Sequence, residues 1–111
     1  RSVSWARRCV IRDRLQAWRQ DGTSHTLVDI REPYERSVSH LDGLHIPMSE
    51  VMNRLSELPQ DEPLVIHCRS GARSAAVTQA LTLQHGMDNV HNLTGGIMAW
   101  ASTIEPQMDV A

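Results

Sequence analysis

The stretch PLVIHC, residues 63–68, is apolar without polar alternation until His67, and it runs straight into the loop CRSGARS, residues 68–74. A strand without alternation is buried on both faces, as in a parallel sheet with helices packed above and below it. Behind the loop, residues 72–86 carry Ala72, Ala76 and Ala80, with Val77 and Leu81 at helical spacing and Gly86 at the position of a C-terminal cap. Strand, short loop and helix in that order point to an α/β architecture.

The remaining segments fit that frame. Leu15 and Trp18 predict a helix over 12–20, stopped by Asp21-Gly22. TLVDI (26–30) reads as a short buried strand, and Pro33 opens a helical turn to about Val38. Asp42-Gly43 is a turn, 44–46 a short strand ended by Pro47, and Ser49 a cap for a helix over 50–57 with Val51 and Leu55 on its inner face. VHNL (90–93) is a strand, Gly95-Gly96 a tight turn and 97–102 a short helix. Right-handed crossovers make this a small doubly wound, mostly parallel sheet flanked by helices on both faces. Residues 1–9 are a leader or linker, 10–103 the domain and 104–111 a C-terminal tail. Reacting groups in such sheets gather beyond the carboxyl ends of the strands, where Asp29, Cys68 and Gly95 all fall.

Composition narrows the function. At 111 residues, 41% apolar and 22% charged, the chain suits one soluble domain with its own core. No apolar run approaches the ~18 residues of a membrane span, so no membrane partner is expected. Residues 1–19 hold six arginines and one aspartate, yet no aromatic interleaving accompanies them, so they read as a solvated leader and not as a nucleic-acid site. Two cysteines far apart make a disulfide framework a poor fit and a reducing, cytoplasmic setting the better one. The chain starts at Arg1 and not at Met, as a piece of a longer protein would.

Cys68 is the candidate nucleophile. It lies before a loop that enters a helix N-terminus, where about half a positive charge is exposed. Arg69 and Arg73 flank it, and one guanidinium at roughly 5 Å, with an effective dielectric near 20, would contribute about 3 kcal/mol to a thiolate. Gly71 can take positive φ, so the amides of Arg69, Ser70, Gly71, Ala72 and Arg73 can turn inward as an anion nest, with Ser74 closing the loop. A Cys68 pKa below the free value is expected. That expectation requires a sulfur among inward-facing amides and not sealed in the core. Cys9, with charged neighbours but no such loop, reads as an inert cysteine. His67, adjacent to Cys68 in a strand, points to the opposite face and is a packing histidine. Trp18 and Trp100 are core or rim residues. Six histidines without ligand spacing and two cysteines make no metal site, so no metal is expected.

HCRSGARS resembles the active-site loop of the rhodanese-like family, single-domain sulfurtransferases whose cysteine carries a persulfide. DIREPYERSVSHLDGLHIP and GGIMAW are similar to the family's first and closing signatures, although Ser39, Leu41 and the Tyr34-Glu35 order depart from the usual pattern. Cysteine phosphatases of the same fold resemble C-x5-R. Here Cys68 to Arg73 is C-x4-R and Ser74 stands where the longer loop would need arginine. One residue fewer removes about 3.5 Å of contour, which fits sulfur better than a phosphoryl group.

The resemblance implies transfer of sulfane sulfur, as a persulfide on Cys68, from thiosulfate or a donor protein to a thiophilic acceptor, with no cofactor beyond that covalent sulfur. It also implies that Asp29 and Arg31 support the loop from the neighbouring strand end; an ordinary surface pair of Arg31 with Glu32 or Glu35 is the alternative. The closing segment is similar to rhodanese domains fused behind ubiquitin-activating-like adenylyltransferases of the molybdopterin and thiamine pathways, which implies a ubiquitin-like sulfur carrier as a partner. A phosphatase or arsenate reductase on the same fold, and a non-catalytic interaction module, are the competing classes.

Overall fold

The structure, a computed structural model, describes residues 9, 10, 12–41, 43–108 and 110. The expected leader lies outside them except at residue 9, and so do the side chain of Cys9 and the Asp42 half of the expected turn. Five strands form one parallel sheet: β1 (Cys9–Val10), β2 (Thr26–Asp29), β3 (Leu44–His45), β4 (Leu64–His67) and β5 (Val90–Leu93), in the order β1-β5-β4-β2-β3. β1 is a correction to the predicted leader; two residues on a sheet edge leave no pattern to read. The helices are α1 (Arg12–Asp21), α2 (Pro33–Val38), α3 (Ala72–His85) and α4 (Gly96–Thr103). The segment predicted as one helix over 50–57 is instead two 3-10 stretches, Met48–Asn53 and Leu55–Glu57, and Ser49 caps neither.

Alternation along the strands sorts the core into two layers. Val28, Leu64, Ile66 and Val90 pack on Val77 and Leu81 of α3 and on Val51 and Leu58. Leu27, Val65 and Leu93 pack on Leu15 of α1 and on Ile97 and Trp100 of α4. Helices therefore cover both faces, as the unbroken apolar run at 64–66 requires. The tail continues on this second face, where Ile104, Met108 and Val110 are partly buried. Among the described residues, no helix is long and apolar enough to cross a membrane.

The stripe that α3 buries is Ser74, Val77, Thr78 and Leu81, not its alanines. It ends where expected: Gly86 takes φ 65°, and Met87 N donates to the Leu81 carbonyl at 3.1 Å. From β2 the chain moves outward to β3, then returns past β2 to β4 and on to β5. The crevice between the carboxyl ends of β2 and β4 is thus the topological switch point of the sheet. Cys68 follows β4 directly at that crevice.

Trp100 is 2% exposed, and its Nε1–H donates to Glu105 at 3.1 Å; Trp18 is only partly buried. Trp100→Ala is expected to lower stability by about 3–5 kcal/mol and Trp18→Ala by clearly less, measured by denaturant unfolding.

Candidate active site

β4 delivers Cys68 to the same face as Leu64 and Ile66. The chain then turns through Gly71, whose φ of 102° is a left-handed value open to glycine, and its amide comes back onto Cys68 Sγ at 3.1 Å. Because Ser74 lies on the buried stripe of α3, its amide donates to the same sulfur at 3.4 Å and its Oγ lies 3.5 Å away. The amide of Ser70 adds a further hydrogen bond. Burial pushes the Cys68 thiol up, but the Ser74 hydroxyl and the amides of Ser74, Gly71 and Ser70 outweigh it and hold the thiol below its ordinary value. Of the amides expected to turn inward, those of Ser70 and Gly71 reach the sulfur, joined by that of Ser74.

Its electrostatic source is different. The guanidinium of Arg73 is engaged by Glu35 of α2, in a two-pronged pair with both N–H···O distances 2.8 Å. Glu35 is buried and also accepts from the Glu32 amide at 3.0 Å, as part of a capping box. A guanidinium satisfied by a carboxylate has little field left for a thiolate, so hydrogen bonds and not arginine charges dominate at Cys68. Arg69 is exposed at the mouth of the loop, as are Ser70 and Ala72.

A second correction concerns access. Cys68 is only 1% exposed and counts with the core residues of its layer. Folding Sγ back under the loop to reach three amides covers it, although the residues directly after it lie at the surface.

The outer side of the loop is fixed by the start of α4. Ile97 N donates to the Cys68 carbonyl and Met98 N to the Arg69 carbonyl, both at 3.0 Å. This close approach requires Gly96: a Cβ there would lie 2.5 Å from the Cys68 oxygen and 2.6 Å from that of Arg69. The double glycine, read from sequence as a turn, is also a contact surface for the cysteine loop. Asn92 of β5 was not anticipated either; its Oδ1 accepts from the Ser74 hydroxyl.

Asp29 and Arg31 are both buried, and Arg31 Nη2 contacts the carboxylate at 2.9 Å and the Ser39 carbonyl at 2.7 Å. The surface pair with Glu32 or Glu35 is not what Arg31 makes. These contacts fix the segment after α2; the carboxylate that touches the loop is Glu35, for which the E-x-x-E spacing of a capping box at 32–35 was the available signal. Burial pushes the Asp29 carboxyl up, but Arg31 and His67 outweigh it and hold it low. His67 pairs with Asp29 across the ladder on the face away from Cys68, and burial pushes its pKa down to about 4, so it is neutral at pH 7. A shallow concavity of about 300 Å³ between Pro33, Arg36, Ser37, His40 and His45 contains none of the loop residues.

The rhodanese-like domain profile matches residues 12–103. The chain is 49% identical over 76 residues to a protein named sulfurtransferase from Allochromatium vinosum, covering 68% of this chain and 70% of that one. It is 37% identical over 97 residues to a probable adenylyltransferase/sulfurtransferase, MoeZ, of Mycobacterium tuberculosis, a match that spans 85% of this chain but only 24% of that relative. Among solved structures, a rhodanese-related protein of Thermoplasma volcanium superposes with a TM-score of 0.74 at 30% identity, over 94% of this chain and 97% of that one.

Two outcomes follow from the site's framework. Gly96→Ala should destabilise the fold by about 2–4 kcal/mol through clash with the two carbonyls, whereas Gly86→Ala, with nothing within 4 Å, should show only the ~1 kcal/mol of its left-handed φ. Denaturant melts compare them. The Arg73 bond, before all else, holds the Glu35 carboxyl below its ordinary 4.5, so its contribution is complete above that value and is lost as pH falls through the lower folded value. Glu35→Gln should therefore lower stability by about 1–3 kcal/mol at neutral pH, with the gap to wild type closing in acid.

Proposed function

The chain belongs to the rhodanese-like domain family, and from that membership we propose that it is a sulfurtransferase working through a persulfide on Cys68. The observation that carries this reading is the convergence of the Ser70, Gly71 and Ser74 amides on one sulfur. With thiosulfate as donor, the Cys68 thiolate attacks the sulfane sulfur. A new S–S bond forms, the S–S bond of thiosulfate breaks, and sulfite leaves with the electron pair. The terminal sulfur of Cys68–S–S⁻ inherits the negative charge, which the preorganised amides stabilise without reorganisation. A nucleophile such as cyanide then attacks that terminal sulfur, leaves as thiocyanate and regenerates the thiolate.

Arg69, exposed at the mouth of the loop, favours an anionic donor. The acceptor we favour is the activated C-terminus of a ubiquitin-like sulfur carrier, leaving a thiocarboxylate; the resemblance to adenylyltransferase-linked domains supports it, and the adenylyltransferase/sulfurtransferase name of the mycobacterial relative is consistent with it. Such thiolate chemistry suits a reducing compartment such as the cytoplasm. The phosphatase class is disfavoured by the six-residue loop and by Arg73, whose guanidinium is engaged on both prongs by Glu35.

Incubation with thiosulfate should add the mass of one sulfur atom to Cys68, and cyanide should then release thiocyanate. Cys68→Ser should abolish both, and an aryl phosphate should remain intact. Undiminished thiocyanate formation by Cys68→Ser would exclude the mechanism.

A further inference from the structure

The hydroxyl of Ser74 has more partners than it has protons. Its Oγ lies 3.5 Å from Cys68 Sγ, 3.2 Å from the Gly71 carbonyl and in hydrogen-bond contact with Asn92 Oδ1, yet it carries one hydrogen. Asn92 projects from β5, the strand beside β4, in the register Ile66↔Asn92. Its partly buried carboxamide can present either an acceptor or a donor to Ser74, whereas the Gly71 carbonyl can only accept.

We propose that Asn92 is the positioning residue that lets Ser74 serve the Cys68 sulfur in both of its protonation states. In the thiol, S–H donates to Ser74 Oγ and the hydroxyl donates to Asn92 Oδ1, the arrangement seen here. When the proton leaves to solvent, Ser74 O–H turns onto the thiolate and the Asn92 carboxamide rotates to donate Nδ2–H into Ser74 Oγ. No proton crosses between Ser74 and Asn92; only the direction of the two hydrogen bonds reverses. An aspartate at 92 could only accept, and would keep the hydroxyl proton away from the sulfur.

Other charges near Cys68 do not supply this reversal. Arg73 from α3 feels the sulfur but is held by Glu35, with Tyr34 of α2 beside it; Arg69 lies at the loop mouth. Asp29 of β2 and His67 of β4 pair on the opposite face, and His91 of β5, paired with Val65, shares that face by alternation. The role rests on Cys68 being the reacting thiolate, but its test reads ionisation and not sulfur transfer, so the two can fail separately.

The experiment is a titration of the Cys68 thiolate by its ultraviolet absorbance, taken as the difference from Cys68→Ser, in variants whose melting temperatures report folding. Asn92→Asp should raise the Cys68 pKa by one unit or more. Of the smaller pair, Asn92→Ser, which can still donate and accept, should titrate closer to wild type than Asn92→Ala. In a Ser74→Ala background, Asn92→Ala should add no further shift. Wild-type titration in both Asn92→Asp and Asn92→Ala would overturn the role, as would an Asn92→Ala shift that persists undiminished without the Ser74 hydroxyl. If Asn92→Asp does not fold, the Ser and Ala pair and the double variant decide alone.

Discussion

A charged sulfur can exist inside a protein only where fixed dipoles replace the water it has lost. At Cys68 the replacement comes from backbone amides and one hydroxyl, all within six residues of it in sequence. Burial alone would keep such a thiol protonated. The loop reverses that balance with donors whose orientation is set by the turn at Gly71 and the first turn of α3. The rest of the domain serves mainly to hold those few peptide planes at their angles.

It does so from three sides. The switch point between β2 and β4 places the loop at the edge of two buried layers. α2 contributes Glu35, which fixes Arg73 and through it the start of α3. The glycine-rich start of α4 comes close enough for its amides to reach the loop's carbonyls. Each loop peptide near the sulfur thus has its amide side or its carbonyl side committed, which is why the nest does not relax toward solvent.

Much of this was legible in residue order. The unbroken apolar run at 64–66, the glycine at 71 and the cap at 86 each express a local constraint that survives folding, and the layers followed from them. Cys68 and its loop were legible because chemistry and turn geometry coincide in seven consecutive residues. What was not legible depended on partners distant in sequence. Arg73 looks like an anion ligand until Glu35, 38 residues away, is seen to occupy it. Asn92 is one polar residue in a strand, and nothing local indicates that it meets Ser74, 18 positions upstream. The two-residue β1 and the 3-10 stretches carry too few residues for a period to emerge. The depth of the sulfur is likewise a product of three-dimensional closure.

The hold of α4 on the loop has a consequence for the order in which the molecule is made. Chains leave the ribosome N-terminus first, so the cysteine loop emerges before Ile97 and Met98, whose amides donate to its carbonyls. Until α4 docks, the loop lacks its outer support. Within this domain, the cysteine loop is therefore completed only after α4 has docked against it.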